Sequence, residues 1–252
     1  MSAPPKRAPK RAPKRAMVLA AGFGTRMAPL TDITPKPLLD VYDRALIDWA
    51  IDRLEEVGVE TVVVNLHHLG DMIKTRLAMR AGPEIVYSEE RDILDTGGGV
   101  TNALSLLGDE PFYVVNGDAL WLNGGENALR RLAETWDDDE MDALLLVHST
   151  VDAYGYRGDG DFNLDPVGRL ARRPECEVAP FLFTGIQMLH PRLFKDAPEG
   201  TFSLNVLYDR AIEGGRLFGI AHDGEWFHIN TPHGLEEART YMKTRYAGVK
   251  HR

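Results

Sequence analysis

Between Leu19 and Pro37 the chain carries the residue types that a polyphosphate needs. Leu19-Ala20-Ala21-Gly22-Phe23-Gly24-Thr25-Arg26-Met27 reads as an apolar strand running into a glycine-rich loop, and Lys36-Pro37 follows ten residues after Arg26. Gly22 and Gly24 let the backbone turn sharply and bring its N–H groups close to phosphate oxygens. A guanidinium such as Arg26 grips two oxygens at once, while the ammonium of Lys36 acts as a point charge. Two familiar glycine motifs are excluded. Gly22 is not followed by the Walker spacing, and the third glycine of the dinucleotide fingerprint is replaced by Met27.

Two further stretches extend this chemistry. In Val114-Val115-Asn116-Gly117-Asp118 a strand ends, glycine opens a turn, and an aspartate stands at the carboxyl edge of a sheet, where open α/β sheets bind ligands. A lone carboxylate there can hold Mg²⁺ that bridges phosphate oxygens, or it can simply cap a loop. Leu94-Asp95-Thr96-Gly97-Gly98-Gly99-Val100 reads as a third glycine-rich turn leading into a helix. Such a backbone can lie flat against a ring, with Gly98 the best single contact, or it can be an ordinary turn.

The run Leu-Ala-Ala-Gly-x-Gly-Thr-Arg-Met-x-Pro-Leu-Thr-x-x-x-Pro-Lys-Pro resembles the signature of the sugar-1-phosphate nucleotidylyltransferases, and the resemblance spans roughly Met17 to Arg239. It implies an enzyme that couples a nucleoside triphosphate to a sugar 1-phosphate and releases pyrophosphate. The nucleotide would lie against Ala21, Gly22, Gly24, Thr25, Gly98 and Asn116. Arg26 would hold the leaving pyrophosphate, Lys36 the reacting phosphates, and Asp118 the Mg²⁺. Trp226-Phe227-His228-Ile229-Asn230-Thr231-Pro232 departs from the family's Trp-x-Asp-x-Gly-Thr-Pro, whose aspartate is the second metal ligand. Imidazole suits Mg²⁺ poorly, because that ion prefers oxygen. Three outcomes are open: His228 binds the metal and favours Mn²⁺, or it bonds a phosphate or water, or the metal site is weakened.

Gly160-Asp161-Phe162, Pro180 to Gln187 and Phe202-Ser203-Leu204-Asn205 resemble the small N-acetylmuramate-1-phosphate uridylyltransferases of cell-wall recycling. That likeness makes Gly160, Asp161 and Thr184 candidates for the sugar; otherwise they are turn and strand positions. The other readings are a mannose-1-phosphate guanylyltransferase and a non-catalytic nucleotide-sugar sensor, which His228 would permit. His67-His68 follow a strand and face opposite ways, so they line or flank the cleft rather than pair on a metal.

The elements that must hold these residues alternate. Leu46, Ile47, Ala50, Ile51 and Leu54 recur at helical spacing before Gly58, and Thr61 to Asn65 is a β-branched strand. A helix over 69–80, a strand over 84–87, a helix over 100–107, a strand over 111–115 and a strand over 143–148 follow. Residues 150–180 break into Gly, Asp and Pro, as loops and a hairpin would. Ser203 is expected to cap a helix over 204–212, and Thr231-Pro232 opens the last one. Alternation of this kind predicts one α/β domain, a Rossmann-like doubly wound and mostly parallel sheet with a small substrate-lid hairpin.

The domain is expected over 17–252, preceded by a disordered tail over 1–16 in which Pro-Lys-Arg-Ala repeats three times, with Met17 an alternative start. The tail reads as a dispensable extension or an electrostatic tether. The net charge of −9 argues against a nucleic-acid binder, and Cys176, the single cysteine, against an internal disulfide. No apolar run is long enough for a membrane span. A reducing cytoplasm is the expected compartment.

Overall fold

A computed structural model describes residues 12–247. In chain order, β1 (Arg15–Leu19) leads to the ribbon β2 (Asp40–Val41) and β3 (Arg44–Ala45), then α1 (Leu46–Glu56), β4 (Thr61–Leu66), α2 (Gly70–Leu77) and β5 (Glu84–Glu89). There follow α3 (Asp95–Leu107), β6 (Phe112–Asn116), β7 (Leu120–Leu122), α4 (Ala128–Thr135) and β8 (Ala143–Ser149). The chain continues through β9 (Phe162–Leu164), β10 (Leu170–Arg172), β11 (Phe181–Leu189), α5 (Asn205–Glu213), β12 (Leu217–Ala221), β13 (Glu225–Phe227) and α6 (Pro232–Arg245).

The central sheet runs β12-β8-β11-β6-β1-β4-β5, with the β9–β10 hairpin hung on β11. β6, β1, β4 and β5 are mutually parallel, as are β8 and β12. β11 opposes both β6 and β8, so it alone runs against the rest of this row. This is the expected mostly parallel sheet. Strand alternation divides the core between its two faces. Ala16, Val18, Val62, Val64, Tyr113 and Val115 pack with α1 and α4, whereas Met17, Val63, Phe112 and Val114 pack with α3 and α5. A third cluster joins Met27, Leu39 and Leu46 to Leu120, Phe227, Ile229, Leu235 and Met242, fastening β7, β13 and α6 beneath the glycine loop.

Several boundaries differ from expectation. Residues 1–11 of the proposed tail lie outside the described residues, but the sheet begins before Met17. Arg15 and Ala16 pair with Thr61 and Val62, and Arg15 Nη1 donates to the Leu106 carbonyl at 2.5 Å. A Lys-Arg-rich composition hid this, because the strand is buried through its backbone and the small Ala16 side chain, while the Lys14 and Arg15 side chains bond Glu60 and the Leu106 carbonyl at the surface. α3 starts at Asp95, so Gly97, Gly98 and Gly99 form its first turns rather than a loop. Their N-terminal N–H groups are served from far along the chain: Gly97 and Gly98 donate to the Phe202 carbonyl at 2.9 and 3.1 Å. α5 begins at Asn205, where Ser203 Oγ accepts the Asn205 N–H at 3.3 Å. Thr231 caps α6 as expected, accepting from the Gly234 N–H at 3.1 Å, with Pro232 in the first turn.

Beneath the carboxyl ends of β8 and β12, His148 and His222 are buried with ring centroids 5.6 Å apart. His222 Nε2 donates to the Leu122 carbonyl at 3.1 Å. Burial, reinforced by the neighbouring His148, lowers the His222 pKa to about 4, which the Leu122 and Glu225 backbone and Asp223 offset only in part. The unfolded chain takes up this proton near pH 6.5, while the folded chain refuses it until about pH 4. Stability from this group is therefore complete above pH 6.5 and declines as the pH falls through that window, by about 3 kcal/mol in all. Urea unfolding at pH 7 and pH 4.5 should show the loss, and His222→Asn should show a smaller one. Equal slopes for the two proteins would refute the attribution.

Candidate active site

The glycine loop leaves β1 at the carboxyl edge of the sheet, between the ends of β4 and β6. Its first N–H, on Ala20, donates to Asn65 Oδ1 at 2.7 Å. Gly24 adopts φ 64°, ψ 30°, and a Cβ there would stand 2.9 Å from Thr31 Cγ2 and 3.2 Å from Lys36 Cβ. This residue must be glycine both for its left-handed backbone and for that packing. At Gly22 a Cβ would meet nothing within 4 Å, so the space above it is open. Thr31 Oγ1 donates to the Gly24 carbonyl at 3.0 Å, and His68 Nε2 donates to the Thr31 carbonyl at 3.1 Å. Phe23 at the loop tip packs against the rings of His67 and His68. The two histidines brace the loop from outside, consistent with flanking the cleft.

Lys36 is almost fully buried on a short 3₁₀ turn. Its Nζ donates to Asp118 Oδ2 and, at 2.6 Å, to Asn230 Oδ1. Asp118 arrives through the turn after β6, where Gly117 donates to the Leu19 carbonyl at 2.8 Å and has no room for a Cβ. Arg26 is exposed beside this group. Asn116 ends β6 against Gly185, whose φ of 81° and missing Cβ leave room for the Asn116 amide.

Two cavities meet here. One, of about 330 Å³, is lined by Ala20 to Gly22, Gly24, Asn65, Glu90, Ile93, Asp95 and Thr96. The other, of about 320 Å³, is lined by Tyr156, Asp161, Phe183, Thr184, Gly185, Trp226 and His228. Arg26, Asn116, Asp118 and Asn230 line both. The arrangement can hold two ligands on opposite sides of a cluster comprising two cations and one carboxylate.

Of the expected residues, Ala21, Gly22, Gly24, Arg26, Lys36, Asn116 and Asp118 line the first cavity, and Asp161 and Thr184 the second. Thr25 is exposed in the 3₁₀ turn and lines neither. Gly98 is buried behind the wall: a Cβ on it would stand 2.3 Å from the Gly200 carbonyl, so its size serves helix packing. Gly160 is also buried, donating to Tyr156 Oη at 3.0 Å, with a φ of 77°. Thr184 Oγ1 donates to the Leu146 carbonyl at 2.6 Å, so its hydroxyl is spent on the sheet. Asp161 Oδ2 accepts the Phe183 N–H at 2.8 Å.

Sequence reasoning missed Asn65 and Glu90. Both are buried, and Asn65 Nδ2 donates to Glu90 Oε1 at 2.7 Å while the Leu94 N–H donates to Oε2 at 3.0 Å. Gly99 is a glycine because a Cβ would approach Glu90 Oε1 to 2.8 Å. An asparagine closing a run of valines was the available signal for the first; Glu90 offered none.

His228 is lodged between rings, stacked on Trp226 (centroids 5.7 Å, planes 20° apart) and edge-on to Tyr156 at 5.3 Å. Burial, with Arg26 and Lys36 nearby, holds its pKa below the usual histidine range. Among the described residues no three His, Cys, Asp or Glu side chains converge as a metal cluster. Asp118 has no protein partner besides Lys36 among them. A single carboxylate with phosphate oxygens completing the shell is a common way to hold Mg²⁺, and Asp118 fits it.

Comparisons with known proteins agree with this geometry. Residues 15–239 match the model of the nucleotidyl transferase family. The chain is 41% identical over 222 residues to N-acetylmuramate alpha-1-phosphate uridylyltransferase of Caulobacter vibrioides, covering 86% of this chain and 92% of that protein. It is 37% identical over 229 residues to the enzyme of the same name from Neisseria meningitidis serogroup B, covering 89% and 96%. In fold it resembles UDP-glucose pyrophosphorylase solved with UDP-glucose, with a TM-score of 0.72 at 18% identity over 92% of this chain and 100% of that one. The chain belongs to the nucleotidyl transferase family, as a sugar-1-phosphate nucleotidylyltransferase of the kind that its glycine loop resembles.

Proposed function

We propose that this enzyme transfers uridylyl from UTP to N-acetylmuramate 1-phosphate, giving UDP-N-acetylmuramate and pyrophosphate. The observation that carries the reading is the shared wall of the two cavities, since Arg26, Asn116, Asp118 and Asn230 face both. UTP lies along the glycine loop with its base toward Asn65, Glu90 and Thr96. The sugar phosphate lies against Tyr156, Asp161 and Phe183. An oxygen of the sugar phosphate attacks the α-phosphorus, the bond from that phosphorus to the β-phosphate oxygen breaks, and pyrophosphate leaves with that electron pair. Lys36 neutralises charge on the α-phosphate and Arg26 on the departing pyrophosphate, so positioning and electrostatics supply the catalysis. Asp118 is the residue that would hold Mg²⁺, which would supply further neutralisation of phosphate charge. His228 adds no ligand in this reading, because both of its ring nitrogens have protein partners. Among the described residues no helix is long and apolar enough to cross a membrane.

Pyrophosphate release tests this. UTP and GTP are each offered with the 1-phosphates of N-acetylmuramate, N-acetylglucosamine and mannose in the presence of Mg²⁺. UTP with N-acetylmuramate 1-phosphate should give the highest kcat/KM, by tenfold or more, a discrimination of about 1.4 kcal/mol. A higher value for GTP with mannose 1-phosphate would make the enzyme a guanylyltransferase. Tight binding of a nucleotide-sugar with no release from any pair would make it a sensor.

A further inference from the structure

The segment that departs from the family pattern forms one continuous hydrogen-bonded chain. Lys36 Nζ donates to Asn230 Oδ1 at 2.6 Å, Asn230 Nδ2 lies 2.5 Å from His228 Nε2, and His228 Nδ1 lies 3.4 Å from the Gly155 carbonyl. The direction of every link follows from the first. An ammonium has only protons to give, so the Asn230 amide must turn its oxygen toward Lys36. Its N–H₂ then faces the imidazole, and Nε2 must accept. A neutral imidazole that accepts at Nε2 carries its proton on Nδ1, where the Gly155 carbonyl receives it.

The backbone repeats this coupling. The His228 N–H donates to the Tyr154 carbonyl at 2.8 Å, and the Tyr154 N–H to the Trp226 carbonyl at 3.0 Å. The chain therefore begins at a cation of the first cavity, passes through Asn230, which lines both, and ends on the loop that carries Tyr156, a wall of the second cavity only.

We infer that Asn230 and His228 are positioning residues: a one-way hydrogen-bond relay holds Lys36 Nζ in place beside Asp118 and ties that position to the Gly155–Tyr156 loop. A relay, rather than a second metal ligand, thus occupies the place of the family's second aspartate. The inference rests on the role given above to Lys36.

Four variants test it, with UTP and N-acetylmuramate 1-phosphate, or whichever pair the unsubstituted enzyme turns over best. Asn230→Ala should lower kcat at least tenfold, with KM for UTP changed less than twofold. The two amide replacements of His228 separate the ends of the relay. His228→Gln keeps an acceptor near the Nε2 position and loses the donor toward Gly155, so KM for the sugar phosphate should rise at least fivefold with kcat lowered less than threefold. His228→Asn keeps the donor and loses the acceptor, so kcat should fall about tenfold while the sugar-phosphate KM stays within twofold. Thermal melting checks that each variant is folded. A kcat within twofold of the unsubstituted enzyme for folded Asn230→Ala overturns the relay, as does an identical response of the two His228 variants. A tenfold rise in the Mg²⁺ concentration for half-activity in His228→Gln, with full kcat at saturating Mg²⁺, would make His228 a metal ligand instead. Lys36→Ala is the reference: if it retains turnover, the role of Lys36 falls, whereas an inactive Lys36→Ala beside an unaffected Asn230→Ala removes the relay alone.

Discussion

Substitution of Lys36 by alanine is expected to lower kcat/KM for pyrophosphate release by about 10³-fold, or about 4 kcal/mol of transition-state stabilisation. Lys36 is buried, faces the first cavity, and is held by Asp118 and Asn230 rather than left to search for its position. A preorganised cation in a site shielded from water stabilises developing phosphate charge more strongly than a solvated one. The fold should survive. The side chain stands on a three-residue turn, and Asp118, whose side chain is 29% exposed, can be hydrated when the lysine is gone. Lys36→Met, which keeps most of the volume, should match the alanine variant in rate and melt within a few degrees of the parent. Turnover within tenfold of the parent in both variants would remove Lys36 from the chemistry.

Asp118→Asn carries the second large effect, a fall in kcat of about 10²- to 10³-fold. Asparagine is nearly isosteric and can still accept from Lys36, so hydrogen bonding and packing change little. What disappears is the only negative charge that the described residues place on the wall shared by the cavities. In the proposed mechanism Asp118 would hold Mg²⁺ through that charge, so the Mg²⁺ concentration giving half-activity should rise along with the loss of rate. A Mg²⁺ titration of pyrophosphate release reads both. An unchanged half-activity point with an unchanged rate would show that Asp118 merely seats Lys36.

The two variants differ in what their residues disclosed beforehand. The parallel half of the sheet was legible because β1, β4 and β6 are buried on both faces and read as apolar runs, and α1 because its five apolar positions fall on one stripe. Asp118 was legible because it follows a short signal of turn residues at the end of such a strand, and Lys36 because Lys36-Pro37 completes the motif that the glycine loop begins. The α3 glycines were not. Their smallness answers to Phe202, Gly200 and Glu90, partners brought up by the fold, and a local reading has only turn propensity to offer. Thr184 and Gly160 were named through the resemblance; only Thr184 lines the second cavity, and their polar groups are taken up by Leu146 and Tyr156. Glu90 was invisible because a single carboxylate after a strand looks like surface until Asn65 and the Leu94 N–H close over it.

The β9–β10 hairpin meets the central sheet at two places, Phe162 with Phe181 and Arg169 with Phe218, where Gly219 donates to the Gly168 carbonyl at 2.8 Å, and its Phe162 and Leu170 are buried in the core. The side of the first cavity, by contrast, is woven from strands hydrogen-bonded along their whole length. Selection can therefore vary the exposed turn over 165–167 at small cost to stability, whereas the same liberty in the buried strands of the hairpin, or in β1, β4 or β6, would unmake the protein.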